Sequence, residues 1–204
     1  FQPAYIKEGK TVTWDPDSNG YRLPTEAEWE FSCRAGTTTP FYSGSTDRHL
    51  ARAAWFKSNS GGRMHPVTQN EPNGWGIFDI HGNVWEWCWD WHDPRAYHKL
   101  PPVDPIQTQP VVHRFEKVAK WDERFFTEAT TRVVRGGCFL GPPQDCRSAA
   151  RSSYETTIQN ALPVDETEDI ATGGNSGIGF RVVLAPDISY LSIPTEDEKP
   201  DEAD

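Results

Sequence analysis

Residues 73–87 of the chain read NGWGIFDIHGNVWEW, and the tryptophan spacing that begins there continues to residue 91. From residue 83 onward the side chains alternate as they do on the two faces of a β-strand. One face carries Trp85, Trp87, Trp89 and Trp91, and the other carries Val84, Glu86, Cys88 and Asp90. The pattern predicts a strand over residues 83–91 whose tryptophans lie in the core, because each indole buries a large apolar area.

A helix is predicted upstream, over residues 25–35. Thr25 and Glu28 have the spacing of a capping box, in which each side chain binds the backbone N–H of the other residue. Gly36 follows as a C-terminal stop. Shorter strands are predicted over 76–80, 131–135 and 179–184, and the 17 Pro and 16 Gly are typical of a chain rich in loops. The sequence therefore predicts an irregular α+β domain.

The composition excludes several classes of protein. The chain has 204 residues, enough for one domain with a core, and an aromatic fraction of 12% argues against general disorder. No run of about 18 apolar residues is present, so no membrane span is predicted. The net charge of −10 comes without a basic cluster of the kind that binds nucleic acid. Residues 188–204 are predicted to form a disordered acidic tail.

Cysteine and histidine spacing shows no zinc, iron or nucleophile motif. The chain has no CxxC, HxH or HExxH, and no serine lies in a nucleophile elbow. An even count of four cysteines permits two disulfides without requiring them. Cys33, on the inner side of the helix, and Cys88 are predicted to be core residues.

Four segments, in this order along the chain, resemble one family. They are residues 21–30 (YRLPTEAEWE), 73–87, 132–137 (RVVRGG) and 177–183 (GIGFRVV). On these segments the chain is identified as a member of the formylglycine-generating enzyme, or sulfatase-modifying factor, family over about residues 11–185. The resemblance implies the family's variant of the C-type lectin fold, with little regular secondary structure and a small twisted antiparallel sheet. It also implies a domain at 1–187 that lacks the family's N-terminal part and carries insertions at about 95–130 and 155–176.

The resemblance implies two kinds of function. Catalytic members are copper-dependent oxidases that convert a sulfatase cysteine into formylglycine, and they hold Cu(I) with two thiolates, which are the soft ligands it prefers. In this sequence Gly141 stands at the position of the first copper cysteine, and Cys146 stands where the second would be. Cys138 is the candidate to replace the missing ligand; the favoured alternative is that Cys138 and Cys146 form a disulfide or are a pair of buried thiols. Other members keep the scaffold and use it for binding.

The resemblance further implies a structural calcium site after the turn at residue 79. Its ligands would be the carboxylates of Asp79 and Glu86 and the carbonyls of Gly82 and Val84, which are the hard oxygen donors that Ca²⁺ prefers. The alternative is that Asp79 caps the turn and Glu86 pairs with an arginine such as Arg135 or Arg181.

The missing thiol favours a non-catalytic binding module over an oxidase. Its partner is predicted to be a protein or peptide, and copper is not expected. The predicted binding residues are Arg147 and Arg151, whose alternative is structural ion pairing, and the acids Asp165, Glu166, Glu168 and Asp169, which would attract a basic partner. Sugar stacking on the indole row is the weaker alternative.

Overall fold

The computed structural model describes residues 1–9, 11–118, 124–155 and 177–184, and shows two helices and eleven short strands there. In chain order these are β1 (Tyr5–Glu8), β2 (Thr11–Trp14), β3 (Tyr21–Arg22), α1 (Glu26–Arg34), α2 (Asp47–Leu50), β4 (Ala54–Trp55), β5 (His81–Gly82), β6 (Trp85–Trp91), β7 (Val112–Val118), β8 (Arg124–Arg135), β9 (Ser152–Glu155), β10 (Ile178–Gly179) and β11 (Val183–Leu184). Single 3₁₀ turns lie at Ala96–His98 and Pro143–Cys146. No helix among these residues is long and apolar enough to cross a membrane.

The chain divides into two compact units. The smaller consists of Phe1–Arg22 with Val182–Asp204, and its described strands form the hairpin β1–β2 and the antiparallel pair β3–β11. The larger unit, Leu23–Arg181, contains α1 and a five-stranded sheet. The predicted tail at 188–204 lies outside the described residues.

The main sheet is built around β6 and β8. These two strands pair antiparallel, β10 lies parallel to β6, and β7 and β9 both pair antiparallel with β8. The predicted insertion at 95–130 contributes the 3₁₀ turn at Ala96–His98 and most of the β7–β8 hairpin. The strand predicted over 131–135 is the last five residues of the 12-residue β8, and the one predicted over 179–184 is broken into β10 and β11.

Helix α1 begins and ends as its sequence predicts. The Thr25 hydroxyl accepts the Glu28 N–H at 3.2 Å, and the Glu28 carboxylate accepts the Thr25 N–H at 2.8 Å. At the other end Ala35 adopts the left-handed conformation and Gly36 follows at φ +86°. The helix buries Trp29 and Cys33 against Ile80, Cys88 and Val133, which confirms the predicted core positions of Cys33 and Cys88.

The alternation along β6 is confirmed, but the face assigned to the core is wrong. Glu86, Cys88 and Asp90 are buried, while the four indoles are only partly buried. The two acids are held inside by specific donors. Asp90 accepts the backbone N–H of Glu26 at 2.7 Å and that of Gln107 at 2.8 Å, and both oxygens of Glu86 are hydrogen-bonded. Hydrogen-bonded carboxylates tolerate burial, so the indoles face outward.

The strand predicted over 76–80 is also wrong, because this stretch forms a turn. The Asn73 side-chain carbonyl accepts the N–H groups of Trp75 at 3.0 Å and Ile77 at 3.1 Å. The backbone takes positive φ at Gly76 and Asp79, which breaks an extended strand. Asn73 also donates to the Ser32 carbonyl at 2.7 Å, so the turn is fixed to the end of α1.

Arg135, at the end of β8, joins the sheet to α1. Its side chain is fully buried and donates to Glu26 at 3.2 Å, to Glu30, and to the Ser148 carbonyl at 2.6 Å. The guanidinium carbon also lies 5.2 Å from the centre of the Trp29 ring. A buried charge is stable only when it is paired and hydrogen-bonded in this way.

Replacing Arg135 by methionine is expected to lower the free energy of unfolding by about 3 kcal/mol, because the ion pairs of two carboxylates are lost in a buried place. Urea denaturation of the purified chain measures this. The matched control is Arg34→Met, which removes a partly exposed i,i+4 pair with Glu30 at 2.8 Å and should cost only about 0.5 kcal/mol. Equal losses in the two variants would contradict the proposed importance of Arg135.

Candidate functional site

A shallow depression of about 210 Å³ lies on the main sheet of the larger unit. The described residues that line it are uncharged: Trp85, Val134, Ser152, Ser153, Tyr154, Gly177 and Ile178. Val134 is almost fully buried, whereas Tyr154 is exposed and Trp85 is partly buried. We call this depression the aromatic groove.

Strand register brings these residues together from four parts of the chain. Ile178 pairs with Trp85 across β10 and β6, and Val134 lies between Trp87 and Ser152 across β6, β8 and β9. Residues paired across neighbouring strands point to the same side of a sheet. The groove therefore occupies the face that carries the indole row of β6.

The indole row is held by contacts with β8 and β9. The Arg132 guanidinium lies over two rings, 4.2 Å from the centre of Trp89 and 4.1 Å from that of Trp91, and donates to the Trp89 carbonyl. The rings of Trp87 and Tyr154 meet edge to face at 5.9 Å. Such contacts stabilise aromatic side chains beyond their burial, so Tyr154 of the groove is held against the indole row.

The groove also marks where the second predicted insertion leaves and re-enters the sheet. Ser152, Ser153 and Tyr154 precede residues 155–176, and Gly177 and Ile178 follow them. The insertion is thus attached at two points of the groove's lining. The predicted binding residues Asp165, Glu166, Glu168 and Asp169 themselves lie outside the described residues.

The two thiols proposed for copper have different surroundings. Cys146 is fully buried, and its sulfur lies 2.7 Å from where a Cβ at Gly137 would stand. Gly137 also has φ +78°, so both space and backbone require glycine there. Cys138 is partly exposed, with its sulfur 3.7 Å from the position of a Cβ on Gly177 in the groove.

Burial and the neighbouring Cys138 raise the pKa of the Cys146 thiol to about 12. The thiolate is the form that binds metal, so a metal that binds Cys146 would have to displace its proton. Gly141 has no side chain to bind a metal. A Cβ there would lie 3.3 Å from the Asp145 carboxylate and 3.4 Å from the Cys138 carbonyl. Within the described part of the chain, no three His, Cys, Asp or Glu side chains group closely enough to hold a metal ion.

The two predicted binding arginines are in unlike places. Arg151 donates to both carboxylate oxygens of Glu26 at 2.7 Å and to the Asp93 carbonyl at 3.1 Å. This placement agrees with the structural ion pair that the sequence left as the alternative. Arg147 is exposed, and its side chain donates to the Gln144 carbonyl at 2.9 Å.

The two carboxylates of the predicted calcium site differ as well. Glu86 binds Arg181 through two contacts of 2.6 Å and accepts the Trp29 indole N–H at 2.7 Å. Asp79 is buried, and its Oδ2 accepts the Thr68 N–H at 2.6 Å. No donor among the described residues reaches its Oδ1. Asp79 therefore has a buried oxygen available for a cation, whereas Glu86 already has a cationic partner.

His81 links the core around Trp29 and Cys33 to the Pro143–Cys146 turn and was not singled out by sequence. Its ring stacks on Tyr42 at 4.8 Å, its Nε2 accepts the Tyr42 N–H at 3.1 Å, and Cys33 Sγ lies 3.7 Å from its Nδ1. A backbone hydrogen bond joins it to Cys146. Burial lowers the pKa of His81 to about 3, so the imidazole is neutral in the folded chain.

The neutral His81 makes a specific pH prediction. Unfolding lets the ring take up a proton below about pH 6.5, so its contribution to stability is complete above that pH and is lost as the pH falls toward 3. Between pH 7 and pH 5 the free energy of unfolding should fall by about 2 kcal/mol more in the natural chain than in His81→Gln.

Urea titrations at the two pH values measure this difference. His98→Gln is the control, because His98 is exposed and its replacement should leave the pH dependence unchanged. The pKa of Asp90 is raised by burial to about 6, so this residue raises the free energy of unfolding as the pH falls. It does so equally in all three proteins, and its effect therefore cancels in the comparison. Equal pH dependence of the natural chain and His81→Gln would refute a buried neutral imidazole.

Known proteins with similar sequences and a similar structure identify this architecture. The formylglycine-generating enzyme of Streptomyces coelicolor is 34% identical over 186 residues, which make up 83% of this chain and 48% of that enzyme. A serine/threonine-protein kinase of Chlamydia pneumoniae is 30% identical over 156 residues, or 74% of this chain and 22% of the kinase. The solved structure of Treponema denticola variable protein 1 superposes with a TM-score of 0.60 at 29% identity, over 86% of this chain and 51% of that one.

The chain thus spans about half the length of these relatives, or less. The predicted α+β variant of the C-type lectin fold agrees with the similarity to the variable protein and is confirmed. The sulfatase-modifying factor enzyme 1-like domain family matches residues 4–186. The chain therefore belongs to the formylglycine-generating enzyme, or sulfatase-modifying factor, family.

Proposed function

We propose that this chain is a non-catalytic binding module of its family that recognises a protein or peptide partner. The observation that carries the proposal is the state of the sulfur pair. Gly141 supplies no thiol at the position that the family resemblance assigns to the first copper ligand, and Cys146 is buried against Gly137. Cys138 is then the one partly exposed thiol near the groove.

The chemistry of copper supports this reading. Cu(I) prefers a pair of thiolates, and a single thiol beside the groove offers half of such a site. Burial disfavours the thiolate of Cys146, whose pKa it raises to about 12. Using that sulfur would require the Pro143–Cys146 turn to open, and this turn is tied to His81 through the backbone of Cys146.

The aromatic groove supports a role in recognition. It combines a rigid sheet face with two aromatic walls and two serine residues, which is the usual composition of a small binding site. This chain is also similar to part of a kinase and to part of a variable protein, so similar scaffolds occur in proteins of different names and lengths. Exposed Arg147 and the acids at 165, 166, 168 and 169 remain candidate contacts with the partner.

The alternative function is a copper-dependent oxidase that forms formylglycine. It is favoured by the 34% identity to the Streptomyces enzyme and by the presence of two cysteines within this segment. In that case Cys138 and Cys146 would hold the metal together, after a local rearrangement that brings Cys146 out of the core.

Titration of the fully reduced chain with Cu(I), in competition with a chromophoric chelator, separates the two functions. A binding module should not take copper from the chelator, and Cys138→Ser and Cys146→Ser should behave like the natural chain. Tight binding that both substitutions abolish, together with oxygen consumption on a cysteine-containing sulfatase peptide, would favour the oxidase.

Gly141→Cys is the informative positive control. The new side chain meets mainly the flexible Asp145 carboxylate, at 3.3 Å from its Cβ, so the variant should fold. It restores a thiol at the position assigned to the first copper ligand and should increase Cu(I) uptake relative to the natural chain. This increase would identify the missing thiol as the reason for weak copper binding.

We also propose that Asp79 is the carboxylate that holds a structural calcium ion, together with the carbonyls of Gly82 and Val84. Its Oδ1 is buried and lacks a donor among the described residues, and a hard cation would satisfy it. Glu86 fits the same ion less well, because Arg181 and Trp29 already bind its oxygens. We therefore assign Glu86 to the ion pair.

Thermal melts in EGTA and in millimolar calcium test this assignment. The natural chain should melt at a higher temperature with calcium, and Asp79→Asn should lose that response. Glu86→Gln should melt lower in both conditions, because its ion pair is weakened, while keeping the calcium-induced shift. A natural chain that melts identically in EGTA and calcium would remove the proposed ion.

A further inference from the structure

We infer that the aromatic groove takes a cationic side chain, the ammonium or guanidinium group of a basic peptide on the partner. This inference rests on the proposed binding function and names the chemical group that the same site recognises. It follows from the groove's walls, from a contact elsewhere on the same sheet face, from the charge attached to the groove, and from the groove's size.

The groove's walls are aromatic, and none of the described residues that line it is charged. Trp85 and Tyr154 come from β6 and β9, and the floor is the buried Val134. The faces of indole and phenol rings attract cations through their quadrupoles, most strongly for Trp. The stem of a long basic side chain can lie on the apolar floor while its charged end contacts the rings.

The same sheet face already holds one cation in this manner. The Arg132 guanidinium lies 4.2 Å and 4.1 Å from the ring centres of Trp89 and Trp91, further along β6. Trp85 belongs to the same row of outward-facing indoles, at the end near the groove. The row therefore offers a second position for a cation, at Trp85, and the partner would supply the cation that binds there.

Charge complementarity selects a basic partner. The segment 156–176 contains Asp165, Glu166, Glu168 and Asp169 and no Lys or Arg, and it is attached to the sheet through residues on both sides that line the groove. The chain as a whole carries a net charge of −10. This field raises the local concentration of cations and speeds the approach of basic peptides, more so at low salt.

The groove's size fits one side chain better than a larger ligand. Its volume of about 210 Å³ lies below the roughly 300–1,000 Å³ of most small-molecule pockets. A peptide would therefore insert a single residue there and make its other contacts outside the groove.

Two matched peptides test the inference directly. The probes are acetylated, amidated tripeptides, glycine–lysine–glycine and glycine–norleucine–glycine, which differ only in the ammonium group. Each is titrated into ¹⁵N-labelled natural chain at low salt, and the indole and backbone N–H signals of the groove are followed, with the Trp85 indole assigned from Trp85→Phe. We expect the lysine peptide to bind about three- to ten-fold more tightly than the norleucine peptide.

Substitutions that keep an apolar side chain but remove the ring locate the effect. Trp85→Leu should lower the preference for lysine over norleucine to less than about two-fold, and Tyr154→Leu should reduce it in the same direction. Trp75→Leu is the matched control, because Trp75 is half-exposed and packs on Phe31 at 5.0 Å instead of lining the groove. It should leave the preference unchanged. If Trp85→Leu fails to fold, Tyr154→Leu alone carries the test.

Three results would overturn the inference. They are equal binding of the two peptides, no movement of the groove signals with either peptide at about ten millimolar, and a lysine preference that both leucine variants retain. None of these results bears on whether the chain binds copper, so each would refute the cationic ligand without refuting the proposed binding function. Failure of the proposed function would appear instead in the copper titration.

Discussion

The larger unit depends on one buried cation, the Arg135 guanidinium at the end of β8. It binds Glu26 and Glu30 of α1 and the carbonyl of Ser148, so a helix, a strand and the segment after the Cys146 turn meet at one side chain. Because a buried charge must keep all its partners, these three elements have little freedom to move separately. The short strands and long loops of this fold thereby gain a fixed centre.

The burial of the polar face of β6, instead of its tryptophan face, is explained by contacts in the same region. The inward face of β6 meets α1, where Asp90 accepts the backbone N–H of Glu26 and Glu86 accepts the Trp29 indole N–H. Glu86 also binds Arg181. Once the carboxylates face inward, strict alternation places every indole on the outer face. The aromatic groove is thus a consequence of polar requirements on the opposite side of the strand.

The aromatic groove and the cysteines considered for copper lie close together near the end of β8, where Val134, Gly137 and Cys138 follow one another closely. Val134 forms the floor of the groove, Gly137 leaves room for the buried Cys146 sulfur, and Cys138 lies beside Gly177. One short segment therefore keeps one sulfur in the core and leaves the other beside an uncharged aromatic surface. The proposed binding role rests on this division, since Cu(I) prefers a pair of thiolates.

The sequence alone determined the family, the α+β class, the capped helix and the alternation of β6. These rest on local rules: a capping box needs residues three apart, and a strand repeats every two residues. Only the tertiary structure decided which face of β6 is buried, that residues 76–80 turn at Asn73, and that Val134, Ser152 and Tyr154 share a groove with Trp85. Those outcomes depend on partners far away along the chain, and no local pattern records where a carboxylate will find its donors.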